Sequence, residues 1–409
     1  MKNKNRTYTA CYWILTAVTA CLLISQTGCK KSSDTAPVIT SIRNYAASPA
    51  DSLVHEIGPG QWIVISGHNL RGAANIYFDG VAASFNDALF SDTSAVVLIP
   101  SVIAFPSVPT KSLNTITYVT THGQTVFSFS ILPPAPTISS ISNENANAGD
   151  TVTIYGLNFF FIQNLSFAGT TITSYTANNN GTAISFILPT LSQGGPVSIT
   201  TNSGSATTLY NVNDVETGML CNFDDVNSYS WGDYATTNST SLFPDGRGNY
   251  AQLYATNIGA NDFAWYNGGR GLNTNAVQWV PTSELGDTVA HYAVKFEINV
   301  PASWSGGTLF VAANYAWNYI ARYAPWLNTD GSATAFTTSG WQTVTIPFSS
   351  FKTPSSAGYN GEGLSLTSFT DLLGSSGNTS LHIWLINDAA STIASFNAAI
   401  DNIRVEKIQ

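Results

Sequence analysis

Between residues 37 and 213 the 409-residue chain writes one string of short segments twice. "PVITSIRN" at 37 to 44 returns as "PTISSISN" at 136 to 143, and "GQWIVISGHNL" at 60 to 70 as "GDTVTIYGLNF" at 149 to 159. "VVLIPS" at 96 to 101 and "ITYVTTHGQTVFSFSI" at 116 to 131 return as "SFILPT" at 185 to 190 and "VSITTNSGSATTLYNV" at 197 to 212. Each segment alternates apolar and polar residues and ends at Gly, Pro or Asn, the pattern of a half-buried strand closed by a turn. The repeat therefore predicts two copies of one all-β sandwich. "LPPAP" at 132 to 136 favours extended polyproline geometry and predicts a semi-rigid joint between them.

No segment carries a long helical period, and only 10% of residues are charged, a balance that suits sheets. A net charge of −9 and the absence of Lys/Arg clusters exclude a nucleic-acid surface, because phosphate binding needs concentrated positive charge. The N-terminus follows another logic. Lys2, Lys4 and Arg6 precede the apolar run "ACYWILTAVTACLLI", and "SQTGC" ends it in small residues before Cys29, which predicts an export signal too short to span a membrane. Removal of residues 1 to 28 would take away three positive charges and leave the chain at −12. Cys11 and Cys21 would go with the signal, and Cys221 in "MLCNF" reads as a small buried residue.

From about Asp214 the composition changes: eight of the ten tryptophans lie beyond it. "HYAVKFEINV" at 291 to 300, "GTLFVAAN" at 307 to 314, "GWQTVTIPFSSF" at 340 to 351, "LHIWLIN" at 381 to 387 and "AAIDNIRVEKI" at 398 to 408 read as strands of an antiparallel jelly roll. The expected architecture is all-β: two immunoglobulin-like sandwiches followed by a C-terminal jelly-roll β-sandwich. Its parts are a signal at 1–28, a tether at 29–36, sandwiches at 37–133 and 134–213, and a larger domain at 214–409.

That last domain contains "YAWNYIARYAPW" at 315 to 326, with five aromatic rings. If residues 309 to 319 form one strand, Tyr315, Trp317 and Tyr319 stand in file on one face, at the near 7 Å spacing of alternate residues. Flat rings in file suit the C–H faces of sugars, with Asn314, Asn318 and Arg322 near enough in sequence to meet the hydroxyl rim. Aromatic residues in strands are more often core than platform. Trp326, after Pro325 and before the loop-like "LNTDGSA", is expected near the surface, and Trp265 and Tyr266 would face opposite ways on a strand. Trp265, Tyr266, Trp317, Tyr319, Arg322 and Trp326 are the candidate glycan contacts, whereas Trp341 and Trp384 read as core.

The repeated units resemble the IPT/TIG family of immunoglobulin-like domains, through "P.I.SI.", "G..V.I.G.N" and the closing "V.T..G". The resemblance implies spacer modules beside a functional domain. The N-terminal segment resembles a bacterial lipoprotein signal, with Gln26 standing where an aliphatic residue is usual, which implies a lipid on Cys29. Together with "YIARYAPW", "GWQTVTIPFSSF" and "IDNIRV", the arrangement from Cys29 onward resembles the surface glycan-binding proteins of Bacteroidota polysaccharide utilisation loci. This implies an outer-membrane lipoprotein, exposed at the cell surface, that binds xyloglucan or another neutral plant-type polysaccharide and passes it to a partner transporter without chemistry of its own. An acidic run often follows the acylated cysteine in such proteins; here "KKSSD" offers only Asp34.

Glycoside cleavage needs two carboxyl groups across the scissile bond. Glu216, Glu284, Glu297, Glu362 and Glu406 are available but nothing in the sequence pairs them, and Glu297 in "KFEIN" reads as a solvated strand residue. No nucleophile elbow, zinc-protease or nucleotide-binding motif occurs, and the five histidines have no metal-ligand spacing. Asp224, Asp225 and Asp401 are of the residue types that hold calcium, but no metal and no cofactor is expected. Two rival classes stand beside the binding protein: a secreted glycan-degrading enzyme, and an adhesin with a protein partner.

Overall fold

A computed structural model describes residues 35–356 and 358–409, and the chain divides into two compact units after Leu132. The signal, and with it Cys29, lies outside the described residues.

The unit ending at Leu132 is a sandwich of a three-stranded sheet, Val38–Asn44, Trp62–His68 and Ser94–Leu98, and a four-stranded sheet, Val81–Ala82, Ala73–Phe78, Thr115–Thr120 and Gly123–Ser128. The alternation read from sequence decides which side chains enter the core. Ile63 and Ile65 of the second strand are fully buried, as are Ile76, Phe78, Val97 and Ile116.

The other unit begins with the same fold: Thr137–Ile141, Thr151–Leu157, Ala183–Ile187 and Thr176–Ala177 against Thr170–Thr171, Ile162–Phe167, Val197–Thr201 and Gly204–Thr207. The two copies share an irregularity. Val38–Asn44 bulges between Ile39 and Ser41, and Thr137–Ile141 bulges between Ile138 and Ser140. Opposite each bulge sits the glycine of the repeated motif. A Cβ on Gly67 would lie 1.9 Å from the Val38 carbonyl oxygen, and one on Gly156 equally close to that of Thr137. The motif's asparagines, Asn69 and Asn158, take the left-handed conformation that turns the chain out of the strand.

The C-terminal sandwich packs two larger sheets. One holds, in order, Ala235–Thr237, Tyr250–Ile258, Ile393–Lys407, Tyr292–Asn299 and Gln342–Pro347, with Met219–Cys221 pairing on Ile393–Lys407. The other holds Tyr229–Trp231, Gly271–Thr274, Leu381–Ile386, Thr308–Ala313 and Ile320–Tyr323. Val294, Phe296, Ile298, Ile400 and Ile403 from the first meet Leu272, Leu309, Val311, Ile383 and Leu385 from the second in one core, which also takes in the fully buried Cys221.

The outer face of the six-stranded sheet is also covered, so Tyr292–Asn299 is buried at every position and Glu297 is not a solvated residue. The cover is the second immunoglobulin-like sandwich. Its Glu144 carboxylate accepts from Lys295 Nζ at 2.7 Å and from Arg404 Nη2 at 2.6 Å. Arg404 also grips Glu297 through two nitrogens, at 2.9 and 3.0 Å, and Asn145 Nδ2 donates to Glu297 at 3.1 Å. Lys295 Nζ lies 3.1 Å above the Tyr210 ring and 3.0 Å from Glu406. Although burial opposes its charge, the surrounding Glu297, Glu406 and Glu144 carboxylates hold Arg404 well above the usual guanidinium range. Backbone bonds complete the seam: Thr343 N donates to Ser142 O at 2.8 Å, and Glu144 N donates to Thr343 Oγ1 at 2.8 Å.

Candidate functional site

With one face of the six-stranded sheet in the core and the other under the second sandwich, the outer face of the five-stranded sheet is left as the broad surface. Strand alternation places Phe310, Ala312, Ile320, Trp384 and Ile386 there, and Trp265 and Trp317 pack on them. Trp384 is completely buried, as its apolar strand predicts, yet it is the floor of a ring cluster rather than part of the inter-sheet core. Trp265 stacks on it at 4.5 Å and 22°, and His382 at 4.9 Å and 18°. Trp317 tilts over it at 4.7 Å.

From this centre the rings run outward in both directions. Trp265 reaches Trp231 at 5.7 Å, and Trp317 reaches Tyr359 at 5.6 Å. Tyr315 bridges Trp265 at 5.7 Å and His382 at 4.1 Å, and Tyr266 stands edge-on to Trp265 at 5.7 Å. The sheet beneath the row is five strands wide, about 19 Å at the usual inter-strand spacing. Trp231, Tyr266, Tyr315 and Tyr359 are 40, 64, 48 and 62% exposed, an apolar surface left open where burial would be the ordinary outcome.

A buried polar set fixes the floor. Asn273 Oδ1 accepts from Trp384 Nε1 at 2.9 Å and lies 2.8 Å from His382 Nδ1, while Asn273 Nδ2 donates to the Trp231 carbonyl at 3.1 Å. The shared oxygen requires a proton on His382 Nδ1, which leaves Nε2 to accept from the Ser380 hydroxyl at 2.9 Å. Burial pushes the His382 imidazole down to about 3 from an ordinary 6.5. Between those values the unfolded chain binds a proton that the folded one refuses, so stability falls as pH is lowered from 6.5 toward 3. Denaturant titrations across that interval are expected to show a shallower fall for His382→Gln than for the natural chain.

Several sequence-based expectations are revised. Residues 309 to 319 are not one strand: Thr308–Ala313 ends at Ala313, and Asn314 and Trp317 adopt left-handed φ values of 51° and 58° in the loop before Ile320–Tyr323. The three rings are therefore not in file. Tyr315 and Trp317 fold back over the outer face, whereas Tyr319 packs against the inter-sheet core. Trp326 also packs on that core, half-buried, with Nε1 donating to the Gly307 carbonyl at 2.7 Å. Trp265 and Tyr266 sit in a loop rather than on a strand, and both join the cluster.

Arg322, opposite Phe310 in the sheet register, lies on the outer face and pairs with Asp388 at 2.6 Å while donating to the Asn360 carbonyl at 2.9 Å. It braces the loop that carries Tyr359. Trp341 is half-buried in a separate cluster with Phe243 and Tyr250. Trp231, Tyr359, Asn273 and His382 were not singled out from sequence, since only the pairing of Tyr229–Trp231 with Gly271–Thr274 and the return of the 359–360 loop bring them to this face. Trp326→Phe is expected to lower stability by about 1 kcal/mol, the worth of the lost indole hydrogen bond, with glycan retention unchanged. Thermal melts and affinity electrophoresis check the two halves of that statement.

Among the described residues no group of three or more His, Cys, Asp or Glu side chains is placed to hold a metal ion. Asp224 is occupied by Asn249, whose Nδ2 donates to it at 2.6 Å. Burial and the nearby Glu297 charge push the Asp401 carboxyl up to about 9, which keeps it protonated at neutral pH.

Residues 212–407 match the family model of the surface glycan-binding protein B xyloglucan binding domain. The C-terminal sandwich is similar to this glycan-binding domain over nearly its whole length. Its family and structural relatives are glycan-binding proteins rather than enzymes. A Prevotella bryantii surface glycan-binding protein B is similar in fold across 91% of this chain and 98% of its own, with 24% identity and a TM-score of 0.71. A second such protein, from a complex xyloglucan utilization locus in Bacteroides uniformis, is similar across 91% of this chain and all of its own, with 20% identity and a TM-score of 0.51. An IPT/TIG domain-containing protein of Bacteroides ovatus is 30% identical over 176 residues, 39% of this chain. The chain spans only 36% of the length of that curated relative.

The match to the glycan-binding domain begins at 212, close to where the tryptophans become frequent. The immunoglobulin-like sandwiches precede it, as the repeat predicts, and the whole described chain is β-rich.

Proposed function

We propose that the protein captures a neutral polysaccharide on the outer face of the five-stranded sheet and performs no chemistry on it. The observation that supports this best is the row of partly exposed rings from Trp231 through Trp265 and Trp317 to Tyr359, held on a floor of Trp384, His382 and Asn273. Rings fixed by packing lose little freedom on binding, and flat faces over a sheet about 19 Å wide offer stacking positions to several successive sugar units. Of the residues proposed from sequence, Trp265, Tyr266 and Trp317 make the contacts in this reading. Arg322 positions the Tyr359 loop, and Tyr319 and Trp326 support the core. Xyloglucan is the polysaccharide to test first, since the family and the Bacteroides uniformis relative are named for it.

In the same reading Cys29 carries a lipid that anchors the protein, facing outward, in the outer membrane, and a partner transporter receives the bound glycan. Weak binding at one site is sufficient when many copies engage one polymer. Affinity electrophoresis of the chain from residue 30 onward in gels containing xyloglucan, mixed-linkage glucan or mannan tests the core of the proposal. Retardation by at least one neutral glycan, with no release of reducing ends, is expected. Equal mobility in every gel, or release of reducing ends, would refute it.

A further inference from the structure

We propose that a second, smaller site beside the ring row receives a single neutral sugar branch of a glycan lying on that row. It is the cleft lined by Tyr234, Tyr254, Asn257, Asp262, Asn267 and Arg270, with a volume of about 340 Å³. The proposal rests on the row being a glycan platform, and adds how a branched chain is told from a plain one.

The cleft stands at the low end of the roughly 300 to 1,000 Å³ of small-molecule sites, so it suits one or two rings rather than a polymer. Its chemistry is that of a polyol site. Among the described residues the hydroxyls of Tyr234 and Tyr254 and the side-chain amides of Asn257 and Asn267 have no hydrogen-bond partner, so the residues lining the cleft carry free donors and acceptors. Tyr234 is 61% exposed and stands edge-on to Tyr254 at 5.1 Å, which offers a ring face beside those polar groups.

The charges within the cleft cancel. Asp262 Oδ2 accepts from Arg270 Nη1 at 2.8 Å, and Arg270 Nη2 donates to the Asp262 carbonyl at 2.9 Å and to that of Leu385 at 3.1 Å. A phosphate or an amine would find no unpaired countercharge; a hydroxylated neutral ring needs none. Placement links the two sites. The segment from Asp262 to Arg270 puts Trp265 and Tyr266 into the row and also lines the cleft, and Tyr254 N donates to the Gly269 carbonyl at 2.9 Å to fasten it. A backbone passing over Tyr266 would lie against the same segment that lines the cleft, which is where a substituent could enter it.

Calorimetric titration of the chain from residue 30 onward with cellohexaose, unbranched, and with a xyloglucan heptasaccharide, branched, tests the proposal. Tyr234→Ala and Asn267→Ala are each expected to weaken the heptasaccharide about tenfold while cellohexaose stays within about twofold. Trp265→Ala should weaken both probes. If Tyr234→Ala and Asn267→Ala leave the heptasaccharide unaffected, or weaken the two probes equally, while Trp265→Ala weakens both, the branch site is refuted and the platform stands. If Trp265→Ala changes neither probe, or the natural chain binds neither, platform and branch site fall together. Asn267→Ala removes only an exposed side chain, so it keeps the test valid should Tyr234→Ala disturb the fold.

Discussion

Trp265→Ala is expected to weaken polysaccharide binding by about 2 kcal/mol or more, roughly thirtyfold in Kd, with the chain still folded. The reasoning is geometric. Trp265 is in ring contact with Trp231, Tyr266, Tyr315 and Trp384, so it joins the Trp231 end of the row to the Trp384 floor, from which Trp317 and Tyr359 continue it. Alanine would remove a stacking surface, open the flank of Trp384 and free Tyr266 and Tyr315 to move, and each aromatic pair is worth about 0.5–1.5 kcal/mol beyond the area it covers. Because Trp265 is only half-buried, the cost to folding is expected to stay near 2 kcal/mol, below that of a core truncation. Affinity electrophoresis and calorimetry on Trp265→Ala and Trp265→Phe would show graded loss. A Kd within about twofold of the natural chain for both variants would remove the row from the binding account.

The larger effect on folding is expected from Glu144→Ala, at about 3–5 kcal/mol. The change leaves Lys295 and Arg404, both 1% exposed, without the carboxylate that reaches them from the second sandwich. A single buried charge deleted from a network costs more than the network contributes, because its partners stay desolvated. Thermal unfolding of the natural chain and of Glu144→Ala checks the size. Glycan affinity of the folded fraction should not change, since Glu144 lies behind the six-stranded sheet and the rings lie in front of the five-stranded one. A fragment starting at residue 214 would expose the same cluster from the other side and is expected to melt well below one starting at Pro133. If that fragment melts with the longer one, the seam is not part of the folding unit.

This seam also changes what the second immunoglobulin-like module is. The family likeness reads it as a spacer, and its repeat of the first module gives no reason to treat it differently. Yet Glu144 and Asn145, buried in the joint, stand where the first copy has Tyr45 and Ala46, and it is Glu144 that meets Lys295 and Arg404 while Asn145 meets Glu297. A sequence comparison detects the shared strands. It does not reveal that one turn of the second copy is a lid on a charged sheet.

Much of the molecule follows from local rules. The strands of both repeats, the glycines and asparagines that shape their turns, and the burial of Cys221 and Trp384 are set by alternation and by residue size, which neighbours in sequence suffice to express. The aromatic wealth of the last domain likewise pointed to Trp265, Tyr266 and Trp317. What only the tertiary structure decided is which side of the sandwich each ring serves. Two left-handed residues end the strand at Ala313 and turn Trp317 outward, and Tyr319 and Trp326 go to the core. Trp231 and Tyr359, more than 120 residues apart, arrive on one face through strand pairing and loop return. Exposure of a ring depends on what covers it, and the cover here comes from distant chain, so no local pattern can specify it.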